Sequence, residues 1–305
     1  MMFPGQGSQA VGMQAELAAR YAVVRETWAQ ACAVLGYDLW DTVQNGPAET
    51  LDETVVTQPA MLCAGVAAWR AWQAAGGAPP VRMAGHSLGE YTALVAAGAL
   101  DFGAALALVR RRAESMQAAV PAGEGAMAAI LGLDDAAVAE ACARASNGEV
   151  VSAVNYNAPG QVVIAGVRRA VDRAMAEAKA AGARRAVLLP VSVPSHCDLM
   201  RPAAAEFAAA LAEVAFRRPA VPVIGNADVR AYEDADDIRD GLARQLYSAV
   251  RWTETVRAMI AAGATALVEC GPGKVLTGLA RRIDRSATAV CIDSPDALAD
   301  AAAQS

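Results

Sequence analysis

The chain has 305 residues, 55% of them apolar and 19% charged, with a net charge of −6. That is enough apolar chain for a large buried core and too much for a disordered one. The acidic balance, with no basic run, excludes general nucleic-acid binding.

No stretch reaches the roughly 18 uninterrupted apolar residues of a membrane span, and no leader pattern opens the sequence. Cysteines 32, 63, 142, 197, 270 and 291 show no CxxC spacing, and there are only two histidines. A zinc site or disulfide framework is therefore not expected, no metal is called for, and a reducing cytoplasm is the expected compartment.

In chain order, Met1 to Phe3 run straight into a loop, Pro4-Gly5-Gln6-Gly7-Ser8-Gln9. Helical periodicity covers Tyr21–Ala33 and Pro59–Ala75, and Val81–Ala84 reads as a short strand. Tyr91–Ala99, rich in small residues, reads as a closely packed helix. Asp101 caps a further helix that must end by Pro121. On that helix Phe102, Leu106, Val109, Ala113, Met116 and Val120 share one face, and Arg112 lies roughly 60° from its centre. Burying a guanidinium there is expensive unless an anion meets it.

From Gly125 the pattern changes. Strands are expected at Ala126–Leu131, Val150–Asn155, Gln161–Gly166 and Arg185–Val191, with helices at Asp134–Ala145 and Ala170–Ala181. This β-α-β-β-α-β order predicts a ferredoxin-like subdomain inserted at 122–193. Afterwards helices at Pro202–Val214, Ala235–Gln245, Trp252–Ala262 and Lys274–Arg282 alternate with strands at Ala220–Gly225 and Ala266–Cys270. Residues 1–121 and 194–305 are accordingly read as one large α/β domain with a mostly parallel sheet.

The sharpest chemical signal is Gly85-His86-Ser87-Leu88-Gly89. GxSxG after a strand and before a helix is a nucleophile elbow, which lifts the hydroxyl towards backbone N–H groups at a helix start. The bland alternative is a glycine-rich turn that happens to hold serine. Serine needs a base. His86 adjoins Ser87 on a tight turn and is read as packing or hydrogen-bonding behind the elbow. His196, in Pro194-Ser195-His196-Cys197, is left as the base. Asp198 is a nearby but weak option for orienting its imidazole.

Taken with Asn155-Tyr156-Asn157-Ala158-Pro159-Gly160-Gln161 and Gly271-Pro272-Gly273-Lys274, these motifs closely resemble the bacterial malonyl-CoA–acyl carrier protein transacylases over essentially the whole chain. The resemblance implies an α/β-hydrolase-like large domain and a ping-pong transfer through malonyl-Ser87, with His196 as base and a backbone carbonyl at Gln245 as its acceptor. It implies an oxyanion hole of the Gln6 and Leu88 amides, and Arg112 as partner of the malonyl carboxylate. Asn155 and Asn157 are further substrate-binding candidates. The implied partners are malonyl-CoA and phosphopantetheinylated acyl carrier protein, with no cofactor. Family members carry more apolar residues before Phe3, forming a strand. With only Met1 and Met2 ahead of it, the Gln6 loop is expected to lose support, and a chain extended upstream to melt higher.

GPGK lacks the spacing of a phosphate loop and is expected to shape the site's wall or rim. Lys274, Arg281 and Arg282 are candidate contacts for the carrier or for coenzyme A phosphates, against a solvated helix face. The rival functions are a serine esterase or thioesterase, the acyltransferase of a polyketide or malonate decarboxylase system, and a non-catalytic thioester-binding module.

Overall fold

The computed structural model describes residues 1–121, 123–191 and 193–305. Ala122, where the insert was expected to begin, lies outside them. In chain order the strands among the described residues are β1 (Met2–Phe3), β2 (Met83–Gly85), β3 (Gly125–Leu131), β4 (Val151–Ala158) and β5 (Gln161–Val167). They continue with β6 (Arg185–Leu188), β7 (Val223–Ile224), β8 (Ala266–Glu269) and β9 (Thr288–Cys291).

Five of them form a wholly parallel sheet in the order β7-β2-β1-β8-β9. The other four form an antiparallel sheet, β4-β5-β3-β6, with the Asp135–Ser146 and Arg168–Ala180 helices packed on it. Each sheet has its own core. Ile130, Val138, Ile164 and Val171 are buried in one, while Trp28, Trp72, Tyr91 and Phe207 anchor the other. Helices cover the parallel sheet because its strands are apolar on both faces. No helix among the described residues is long and apolar enough to cross a membrane.

The N-terminus departs from expectation. Met2 and Phe3 form a strand at the centre of the sheet, not a loop lead-in. The Met2 carbonyl accepts from Cys270 N (2.8 Å), and the Phe3 carbonyl from His86 N (3.0 Å). Partners on both sides fix two residues that have too little length to show a period. The Gln6 loop therefore leaves a supported strand, with Gly271 directly against the Pro4 ring. Unpredicted elements include short helices at Leu39–Asn45 and Ala48–Leu51, β9, and the Pro295–Ala303 helix.

The two sheets meet where β4 runs on into the larger layer. Val250 N donates to Val154 O (2.8 Å), and Tyr156 N donates to Val250 O (3.0 Å). Asn155 and Asn157 are thereby held opposite the C-terminal end of β2, where the parallel strands deliver Ser87.

Candidate active site

Ser87 lies two residues past the end of β2 and precedes the Gly89–Ala96 helix. Its backbone is left-handed (φ 50°), a strained conformation for a residue with a side chain. The flanking glycines make the turn feasible. A Cβ at Gly85 would lie 1.8 Å from the Gly89 carbonyl carbon, and one at Gly89 would lie 2.1 Å from Phe3 O.

Ser87 Oγ lies 2.8 Å from His196 Nε2. His196 Nδ1 lies 2.8 Å from the Gln245 backbone carbonyl. A carbonyl only accepts, so Nδ1 carries the proton and the bare Nε2 accepts from the serine hydroxyl. Burial, and secondly the Arg112 charge, hold the imidazole down at about 3, so it is neutral at neutral pH. Asp198 is not its orienting group: that carboxylate pairs with Arg201 (2.8 Å) on the exposed surface.

Arg112 is 1% exposed, as its place on the apolar stripe implied. Its Nη1 donates to Gln58 Oε1 (2.7 Å), and its Nη2 to Gln245 Oε1 (2.9 Å) and to Ser87 Oγ (3.3 Å). The Tyr91 ring lies 5.4 Å from the guanidinium carbon. No carboxylate among the described residues forms a salt bridge with it, so the internal ion pair that would explain it structurally is absent.

Around Ser87 lies a cavity of about 190 Å³. Gln6, Thr54, His86 and His196 line it from the parallel layer, with Met127, Asn155, Asn157 and Val163 opposite. Gln6, Thr54, Leu189 and Val191 also line a neighbouring outer hollow of about 690 Å³. Among the described residues, neither the Gln6 nor the Leu88 amide meets an acceptor. Asn155 is buried with its Oδ1 unpartnered.

His86 does hydrogen-bond, but into the cavity: its Nε2 lies 2.8 Å from Asn157 Oδ1, and its ring packs on Trp252. Lys274, Arg281 and Arg282 do not line the cavity. Lys274 faces Asp293 (3.8 Å), Arg281 donates to Ala289 O, and Arg282 to Gln161. No cluster of metal-ligating side chains occurs among the described residues.

Sequence reasoning missed Gln58, Glu90, Asn226 and the Gln245 side chain. Glu90 directly follows the Gly85–Gly89 motif, and nothing in its spacing distinguished it from a first-turn helix acid. The others reach the site only through the tertiary fold.

The family model described as the acyl transferase domain matches residues 1–292. The malonyl CoA-acyl carrier protein transacylase of Escherichia coli K12 is 58% identical over 300 residues, covering 98% of this chain and 97% of that protein. The chain belongs to the malonyl-CoA–acyl carrier protein transacylases. Among solved members, the transacylase of Coxiella burnetii superposes with a TM-score of 0.99 at 49% identity, covering 100% of this chain and 96% of that one. A malonyl-transacylase solved in complex with a type II PKS acyl-carrier protein gives 0.99 at 52% identity, covering 100% and 99%.

Proposed function

We propose that this chain transfers malonyl from malonyl-CoA to the phosphopantetheine thiol of acyl carrier protein through a malonyl-Ser87 ester. The observation that carries this reading is Arg112 Nη2 at 3.3 Å from the nucleophile, with every hydrogen bond of the guanidinium ending on a neutral acceptor. A malonyl carboxylate beside Ser87 would give Arg112 a directly bonded anion, and a guanidinium takes a carboxylate bidentately.

In the first half-reaction, Ser87 Oγ attacks the thioester carbonyl as His196 Nε2 takes its proton. The Gln6 and Leu88 amides receive the oxyanion. The tetrahedral intermediate collapses, the C–S bond breaks, and the thiolate of coenzyme A takes the proton from His196. In the second half-reaction His196 accepts the proton of the carrier's thiol, which attacks malonyl-Ser87, and Ser87 leaves reprotonated. No cofactor enters, because the coenzyme A thioester is itself the substrate. The unpartnered Asn155 Oδ1 suits an amide N–H of the pantetheine arm, with Asn157 beside it.

We read the large layer, residues 1–121 and 194–305, as α/β-hydrolase-like and residues 122–193 as a ferredoxin-like insert. The supporting feature is a sheet order in which the insert's second, third, first and fourth strands are neighbours. Six free cysteines suit a cytoplasmic enzyme of fatty acid synthesis. A polyketide carrier is the second reading, favoured by the likeness to the transacylase seen with a type II PKS carrier. An esterase is disfavoured by the carbonyl, not carboxylate, on His196 Nδ1.

Peptide mass spectrometry after brief exposure to malonyl-CoA, then to holo acyl carrier protein, tests the proposal. The expected result is a malonyl adduct on Ser87 that moves to the carrier thiol. No adduct, an adduct elsewhere, or faster loss to water than to the thiol would contradict it.

A further inference from the structure

Glu90 has no part in the chemistry above, yet it is fully buried and two of its three partners reach the site. Its Oε2 accepts from Gln245 Nε2 (3.0 Å) and from the Asn226 backbone N–H (3.0 Å), and its Oε1 accepts from the Tyr232 hydroxyl. Asn226 in turn grips the elbow from both sides of His86. Its Oδ1 accepts from Ser87 N (2.7 Å), and its Nδ2 donates to Gly85 O (2.7 Å).

Gln245 is the other arm. Its Nε2 also donates to Ser87 O (2.9 Å), its Oε1 takes Arg112, and its backbone carbonyl takes His196 Nδ1–H. A single carboxylate thus holds two residues that between them touch the nucleophile's backbone on both sides, the base and the guanidinium. No cation among the described residues forms a salt bridge with Glu90, and such a burial is costly unless hydrogen bonds saturate it. Here donors meet both of its oxygens. The object being held is a left-handed serine, a conformation that persists only when its surroundings over-determine it.

We infer that Glu90 is a positioning residue: by fixing Asn226 and Gln245 together, it locks the Ser87 turn and the acceptor of His196 into one frame and so sets the Oγ–Nε2 contact. The inference rests on Ser87 and His196 being the reacting pair. It differs from a purely structural role, in which losing Glu90 would lower stability without changing the chemistry of the molecules that remain folded.

The test measures single-turnover malonylation of Ser87 in the full chain, together with the half-saturating malonyl-CoA concentration and the melting temperature. For folded Glu90→Ala, acylation at saturation is expected to fall about 100-fold, the scale of a misplaced reacting pair, with half-saturation within about three-fold of wild type. Acylation by a small neutral ester, which does not use Arg112, is expected to fall by the same factor. Glu90→Gln should recover to within about five-fold of wild type, because its amide oxygen still accepts from Asn226 and Gln245 while the Tyr232 hydroxyl turns to accept.

Folded Glu90→Ala with a wild-type acylation rate would overturn the inference, as would Glu90→Gln as slow as Glu90→Ala. If the alanine variant does not fold, Tyr232→Phe decides. Loss of one hydrogen bond to the carboxylate should slow acylation about three-fold or more at unchanged half-saturation, and an unchanged rate would overturn the inference. Wild-type chain that forms no adduct at Ser87 would instead sink the reading of the reacting pair. Wild-type labelling matched by both Glu90→Ala and Tyr232→Phe would sink Glu90 alone.

Discussion

The parallel layer supplies Ser87 and His196 to one wall of the cavity, with Arg112 and Gln245 behind them, the four joined by hydrogen bonds of 2.8–3.3 Å. The antiparallel sheet supplies Met127, Asn155, Asn157 and Val163 to the other, and only Asn157 of these bonds to an elbow residue, His86. The first wall is backed by a network of hydrogen-bonded polar groups, and the second combines apolar side chains with two amides turned inward. The difference separates chemistry from recognition. Groups that hold charge or move protons sit where the parallel strands end and a rigid frame fixes them. The facing sheet shapes the space that, in the proposed reaction, the thioester arm enters.

That division predicts where substitutions act. The largest effect is expected for His196→Ala, which removes the proposed base. Ser87 acylation should slow by about 10²–10⁴-fold, measured by rapid quench, and a loss under ten-fold would move the base elsewhere. On the opposite wall, Asn157→Ala removes a neutral hydrogen bond of about 0.5–1.5 kcal/mol. It should raise KM for malonyl-CoA while leaving kcat within two-fold of wild type (about the scatter of a bystander position). A kcat loss as deep as that of His196→Ala would erase the distinction between the walls.

The smallest effect is on pH dependence. With its imidazole held at about 3 instead of 6.5, His196 stays neutral in weak acid. Acylation at pH 5 should therefore fall by no more than the about five-fold allowed for a neutral side chain at Glu90, where an ordinary imidazole would keep only about a thirtieth of its neutral form. A fall tracking pH 6.5 in stopped-flow assays would contradict the buried neutral base. The same depression makes the unfolded chain bind more protons than the folded one below about 6.5. The contribution of His196 to stability is then complete above that value and declines as pH falls towards 3. Glu90 runs the other way: pushed up from 4.5 to about 6 by burial, its contribution is complete below 4.5 and declines as pH rises through 6. Melting curves of wild type against His196→Gln isolate the histidine, and wild type should lose more stability on acidification.

Much of this was legible in the sequence because local rules carried it. Asp101 caps its helix, accepting from Ala104 N as its position implied; Asp134, read as the first residue of its helix, stands one position earlier as the cap, accepting from Ala137 N. The strand–turn–helix around Ser87 and the count of two histidines brought the reacting pair together on paper. Helical periodicity alone put Arg112 inside the core.

The rest depended on contacts distant in sequence. Met2–Phe3 is a strand only because β2 and β8 flank it. Gln58 reaches Arg112 across 54 positions, and Asn226 reaches Ser87 across 139. Gln245 was expected to act through its carbonyl, but its side chain also ties Arg112, Ser87 and Glu90 together. No periodicity encodes such reach.

The central claim is that Arg112 beside the nucleophile selects a carboxylate-bearing acyl group. The most direct measurement is the ratio of single-turnover acylation rates of Ser87 with malonyl-CoA and acetyl-CoA, in wild type and in Arg112→Ala. Losing the charged partner should remove about 2–5 kcal/mol from the malonyl reaction while leaving the acetyl reaction largely intact, so the ratio collapses towards one. An unchanged ratio in a folded Arg112→Ala chain would contradict the account.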